Sequence, residues 1–147
     1  MSEKNVNHTK WMKRAIFLAS LGKNTTSPNP MVGAVILDKN GNLISEGFHN
    51  KAGMPHAEAM AFNNLKKDAK GGTIYVNLEP CCHQGKTPPC VDQIISSGVS
   101  TVYISIQDPD KRVSGRGIKL LKEAGIQVYL GFCKKESLEL NLSLIHI

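Results

Sequence analysis

Apolar residues at Met12, Ala15, Ile16 and Ala19 recur at helical spacing and predict a helix over residues 9–22, with Gly22 as its stop. After the loop Ser27-Pro28-Asn29-Pro30, the pattern turns to Val- and Ile-rich strand at 31–38. Asn40-Gly41 is a strong hairpin turn, and residues 43–50 form the returning strand. A second helix is expected over 56–69, ended by Gly71-Gly72. Strands at 73–79, 101–107 and 127–131 then alternate with helices at 90–97 and 117–124, which Gly98 and Gly125 stop. A last helix is expected over 134–144. One hairpin thus precedes a run of alternating helices and strands. That order predicts an α/β fold with a mostly parallel stretch of sheet and helices on both faces. In such sheets a site lies at the carboxyl ends of the strands, near helix N-termini.

The 147 residues fit a single domain, 1–147, large enough to bury a core without staples. No apolar run approaches the roughly 20 residues that span a bilayer, so no membrane partner is expected. Lys13-Arg14 ahead of residues 15–21 mimics a signal peptide, but an amphipathic first helix explains the same residues. Cysteines more useful as thiolates than as disulfides place the protein in the cytoplasm. The net charge of +6 permits a phosphate or nucleic-acid partner. The lysines are scattered, however, and no basic arm or arginine-rich tract appears. A solvated surface and a small phosphorylated substrate fit this charge better than nucleic acid.

Reactive residues gather where the fold predicts a site. His56-Ala57-Glu58 opens one helix, Cys81 follows a strand, and Cys90 opens the next helix after Pro88-Pro89. Each cluster alone has an ordinary reading: His-x-Glu as surface, and Cys81-Cys82 as small residues buried in a turn. Together, one His and two Cys make three soft ligands, a usual zinc set that leaves a fourth position open for water. Zinc makes hydroxide available there at neutral pH. Removing an amino group from a ring by water requires a proton at the ring nitrogen and another at the leaving amine. Glu58, beside the metal but not bound to it, is placed to relay both. A His-x-Glu, a later Pro-Cys and a non-ligand Glu form the pattern of zinc deaminases.

On these motifs the chain resembles the cytidine-deaminase superfamily, and within it the deaminase domain of the bifunctional riboflavin-biosynthesis deaminase/reductase. The features that carry the likeness are Pro28-Asn29-Pro30 with Val32-Gly33-Ala34-Val35, His49 ahead of His56-Ala57-Glu58, and the long insert from Cys81 to Cys90 with His83, Gly85 and Thr87-Pro88-Pro89. Asp108-Pro109 followed by Gly115-Arg116-Gly117 completes it. The likeness covers about residues 10–132. It implies a three-layer α/β/α cytidine-deaminase-like fold with a mixed five-stranded sheet. It further implies one Zn2+ per chain, held by His56, Cys81 and Cys90, with Glu58 as the catalytic proton carrier. Asn29, His49 and Lys86 fall where the family contacts substrate, and Asp108 where the ribose phosphate would be helped. Asn29 as a turn-former, His49 as a surface histidine and Lys86 as loop charge stay open as plainer readings.

The implied reaction is hydrolytic deamination of 2,5-diamino-6-ribosylamino-4(3H)-pyrimidinone 5′-phosphate to 5-amino-6-ribosylaminouracil 5′-phosphate and ammonia. Two departures stand out. Asp110-Lys111 occupy the place where the family has Asn-Pro after Asp-Pro. The chain also stops about where the reductase half would begin, so no NADPH is expected. A separate reductase chain, or truncation of this one, would account for the next step. The family suggests a homo-oligomer. Two rivals remain: another superfamily deaminase acting on a nucleoside or on tRNA adenosine, and a structural zinc module that binds nucleic acid. The second needs a fourth ligand such as Cys82 or His83 and leaves Glu58 without a purpose.

Overall fold

The computed structural model describes residues 2–22, 31–49, 56–82, 89–108 and 114–145. Ten elements follow one another: α1 (Ser2–Ser20), β1 (Gly33–Leu37), β2 (Leu43–Phe48), α2 (Ala57–Asn63), β3 (Thr73–Leu78), α3 (Cys90–Ser97), β4 (Thr101–Ile106), α4 (Arg116–Glu123), β5 (Gln127–Leu130) and α5 (Lys134–Ile145). The five strands form one mixed sheet in the order β2-β1-β3-β4-β5. β1 pairs antiparallel with both β2 and β3, whereas β3, β4 and β5 run parallel.

Strand residues alternate between two faces, and each face has its own core. Ala34, Ile36, Ile74, Val76, Val102 and Ile104 meet α2, α3 and α4 through Ala57, Ala61, Val91, Ile94, Ile118 and Leu121. Val35, Leu37, Tyr75 and Tyr103 meet α1 through Met12, Ala15 and Leu18, and α5 packs on β4 and α1. The result is the three-layer arrangement expected from the order of elements. Tyr75, Tyr103 and Tyr129 stand in register across β3, β4 and β5 and stack with ring centroids 4.8 and 5.0 Å apart. His8 of α1 lies over this ladder, bonded to the Tyr75 and Tyr103 hydroxyls at 2.5 and 2.9 Å.

α2 differs from the expected 56–69 by ending at Asn63. The Asn63-Asn64 pair is a weak helix former, and beyond it the chain is drawn away from the helix axis. Leu65 packs against the core, Ala69 is buried, and the Asp68 side chain accepts the Lys70 N–H at 2.9 Å, closing a local turn. α1 reaches further toward the N-terminus than the predicted 9–22.

Candidate metal centre

Three features of the backbone bring the reactive residues together. His56 is the N-cap of α2, in extended conformation, and its carbonyl accepts the Met60 N–H at 2.9 Å. α2 itself is seated closely on β2. A Cβ on Gly47 would lie 2.5 Å from the Ala57 carbonyl oxygen and 2.6 Å from the Ala61 nitrogen, so only glycine allows this approach. Ser45 Oγ adds a bond to the Ala61 carbonyl at 2.5 Å. Cys81 lies three residues past the end of β3, and Cys90 is the first residue of α3, capped by Pro89. The two thiol-bearing segments are stitched together: Cys90 N–H donates to Cys81 Sγ at 3.3 Å, and Val91 N–H to the Cys81 carbonyl at 3.1 Å.

The ligand atoms of His56, Cys81 and Cys90 all lie within 4.8 Å of one another, the one such group of three among the described residues. His56 Nδ1 is 3.7 Å from Cys81 Sγ and 3.4 Å from Cys90 Sγ. Zinc bonds of about 2.0–2.3 Å in a tetrahedron give ligand-to-ligand edges of roughly 3.5 Å, so this donor set fits the ion in both chemistry and spacing.

The electrostatics are those of a cation site. The Cys90 hydrogen bond holds the Cys81 thiol down at about 4 against the cost of burial, with His56 assisting. The Cys90 thiol is pushed up, first by that same contact and then by burial. A bound cation would hold both sulfurs as thiolates. His56 is held up chiefly by Cys81. Glu58, in the first turn of α2, is only 3% exposed. Burial pushes its carboxyl up to about 7, and His56 and the Cys90 side chain pull the other way.

Of the remaining predicted residues, His49 is buried beside His56, with ring centroids 5.5 Å apart and planes at 85°. Asp108 lies at the same end of the sheet, its N–H donating to Glu79 Oε1 at 3.1 Å. Asn29 and Lys86, like His83, lie outside the described residues. Cys82 and Cys133 are free thiols, each half-buried, and neither joins the three-residue cluster. Burial pushes the Cys82 thiol up, while Arg116 pulls it down.

Two buried polar residues of β3's carboxyl end had no assigned role in the motif reading. Asn77, fully buried, accepts the Gly33 N–H at 2.9 Å and donates to the Met31 carbonyl at 3.0 Å, fixing the entry to β1. Glu79 accepts four backbone N–H groups. The available signal was a polar residue at a core position of an otherwise Val/Ile-rich strand.

Residues 5–106 match the cytidine and deoxycytidylate deaminase zinc-binding region. The chain belongs to this deaminase family. It is 50% identical over 131 residues to the riboflavin biosynthesis protein RibD of Aquifex aeolicus, covering 89% of this chain but 36% of that one. The chain therefore spans about a third of that longer relative. It is 51% identical to the diaminohydroxyphosphoribosylamino-pyrimidine deaminase of Buchnera aphidicola subsp. Schizaphis graminum, covering 89% of this chain and 88% of the relative. Among solved structures, RibD of Acinetobacter baumannii superposes with a TM-score of 0.89 at 44% identity, over 94% of this chain and 39% of that one. The Thermotoga maritima diaminohydroxyphosphoribosylaminopyrimidine deaminase/5-amino-6-(5-phosphoribosylamino)uracil reductase gives 0.88 at 46%, over 93% and 40%. Together with the His/Cys/Cys cluster, the family match supports zinc as the metal. Among the described residues, no helix is long and apolar enough to cross a membrane.

Proposed function

We propose that this protein is a zinc-dependent deaminase of the riboflavin pathway. It takes the 2-amino group from 2,5-diamino-6-ribosylamino-4(3H)-pyrimidinone 5′-phosphate as ammonia and leaves 5-amino-6-ribosylaminouracil 5′-phosphate. The observation that carries this reading is the meeting of His56, Cys81 and Cys90 beside the buried Glu58. The choice of substrate draws on the Buchnera relative's name, at a likeness that covers most of both chains.

His56, Cys81 and Cys90 would hold one zinc per chain, which supplies hydroxide at neutral pH when bound. Glu58 carries the protons. Its carboxylate accepts one from the attacking water and delivers it to the ring nitrogen next to the carbon under attack. A second transfer through the same group goes to the departing amine, which leaves as ammonia. Burial raises this carboxyl's hold on a proton, which suits a group that must take one up and pass it on. Its burial keeps bulk water from competing. His49, packed edge-on against His56, and the Asn29 and Lys86 loops, with Asp108, would form the wall around the ring and the phosphoribosyl group. The product would then be the substrate of a reductase, the activity joined to the deaminase in the Thermotoga protein's name.

The deciding experiment offers the zinc-loaded protein the pathway intermediate, cytidine and tRNA in parallel. Ammonia release from the intermediate, with slow turnover of the others, is expected. Efficient deamination of tRNA or cytidine with none of the intermediate would overturn the substrate while leaving the zinc chemistry in place.

A further inference from the structure

β3 and β4 run parallel and end side by side, and the Glu79 N–H donates to the Ile106 carbonyl at 2.9 Å. Past that bond the two chains part. One turns through Pro80 to Cys81, and the other passes Asp108 on its way to α4. The Glu79 carboxylate sits in the fork, 5% exposed. Its Oε1 accepts the N–H groups of Asp108 at 3.1 Å and Gly115 at 3.0 Å. Its Oε2 accepts those of Gly117 at 2.9 Å and Ile118 at 3.3 Å. The first two donors bracket the segment between β4 and α4, and the other two lie in the first turn of α4. Pro80 closes the fork from the other side, since a Cβ on Gly117 would come within 2.5 Å of its carbonyl oxygen.

Four charge-assisted bonds and the positive end of α4 hold this buried carboxylate in one place. Two charged residues are fixed by it. Asp108 gives up its own N–H, and Arg116 stands between two of the bonded glycines. Gly117, the residue after Arg116, packs on the carbonyl of Pro80, one residue before Cys81. One side chain therefore ties a charged wall to the turn that carries Cys81.

We infer that Glu79 is a positioning residue that sets Asp108 and Arg116 against the Cys81-Cys82 turn, and so governs how tightly the phosphoribosyl end of the substrate is held. An exposed guanidinium beside that turn is the natural partner of a phosphate. The inference rests on the proposed substrate. It assigns Glu79 to affinity, leaving metal retention to His56, Cys81 and Cys90 and proton transfer to Glu58.

The test uses the full zinc-loaded chain and steady-state kinetics with the pathway intermediate. If the unaltered protein does not turn it over, the proposed substrate is wrong and this inference goes with it. Given turnover, Glu79→Gln keeps the shape but turns a donor toward two amides. It should retain its zinc and nearly all of its kcat, while KM rises about tenfold or more. Arg116→Ala should raise KM similarly, and the double variant should be no worse than the worse single one, because both act through one contact. A fall in kcat at unchanged KM, loss of zinc, or fully additive effects would overturn the inference while leaving the substrate assignment standing. Should Glu79→Gln fail to fold, Glu79→Asp and amide exchange decide. The Asp108, Gly115 and Gly117 amides should exchange slowly in the unaltered protein and faster in Glu79→Asp, with KM raised; fast exchange in the unaltered protein overturns it.

Discussion

Glu58 is two residues from His56 and almost wholly buried, yet the chain gives it no lysine or arginine partner among the described residues. Such a group is costly unless it works with a proton or a cation. Glu58→Gln keeps the size and polarity but cannot accept a proton. The variant should fold, hold zinc and lose about 10²- to 10⁴-fold in kcat, the usual worth of a positioned acid–base group. Near-normal turnover in a metal-replete sample would end this assignment. For the thiols the contrast is between neighbours. Cys90→Ser should abolish zinc retention while sparing the local backbone, because the bond to Cys81 Sγ comes from the Cys90 N–H and survives the substitution. Cys82→Ser should keep its zinc. Metal analysis of both proteins decides, and the reverse pattern would mean that the ligand set is misassigned. That His56, Cys81 and Cys90 meet could be read from the sequence because the signal is in their side-chain types and spacing. Glu79 and Asn77 could not. Their partners are backbone groups 29–39 and 44–46 residues away in the chain, which only the folded sheet brings near.

At the scale of elements, the Val- and Ile-rich runs and the hairpin turn placed the strands, and the glycine stops placed most helix ends. The early end of α2 escaped that reading because Leu65 and Ala69 are still apolar and still buried, though no longer on a helix. What matters for the site is the seat of α2 on β2. Gly47→Ala would press a methyl group against the backbone of Ala57 and Ala61, which cannot rotate away. We expect a loss of about 1–3 kcal/mol in denaturant unfolding, typical of overpacking, and weaker zinc binding because His56 caps the displaced helix. Gly33→Ala is the control. Its methyl would collide with the Ala15 and Ala19 backbone of α1, on the opposite face from α2. It should destabilise comparably without weakening zinc binding in the folded protein. Equal effects of both variants on zinc affinity would show that α2 seating is not what positions His56.

The three donors of the metal centre come from three separate stretches of chain: the cap of α2, the turn after β3 and the start of α3. A cation bound there pins two helices of one layer to the end of the central strand, so zinc should act on the stability of the whole molecule as well as on the reaction. Ligand that binds only the folded state adds about 2.7 kcal/mol when its free concentration is 100 times the Kd. For a domain near 150 residues, each kcal/mol moves Tm by about 2–4 °C. Stripping the metal with a chelator should therefore lower Tm by roughly 5–10 °C at that saturation, and adding zinc back should restore it. The shift should depend on zinc concentration, as mass action requires. Cys90→Ser, having lost a ligand, should melt at the same temperature with and without zinc. An unaltered protein whose Tm ignores the chelator, despite measured loss of metal, would mean that the three segments are already locked by their own contacts. The bonds from Cys90 and Val91 to Cys81 and the packing of α2 on β2 would then suffice to preform the site, and zinc would serve the chemistry alone.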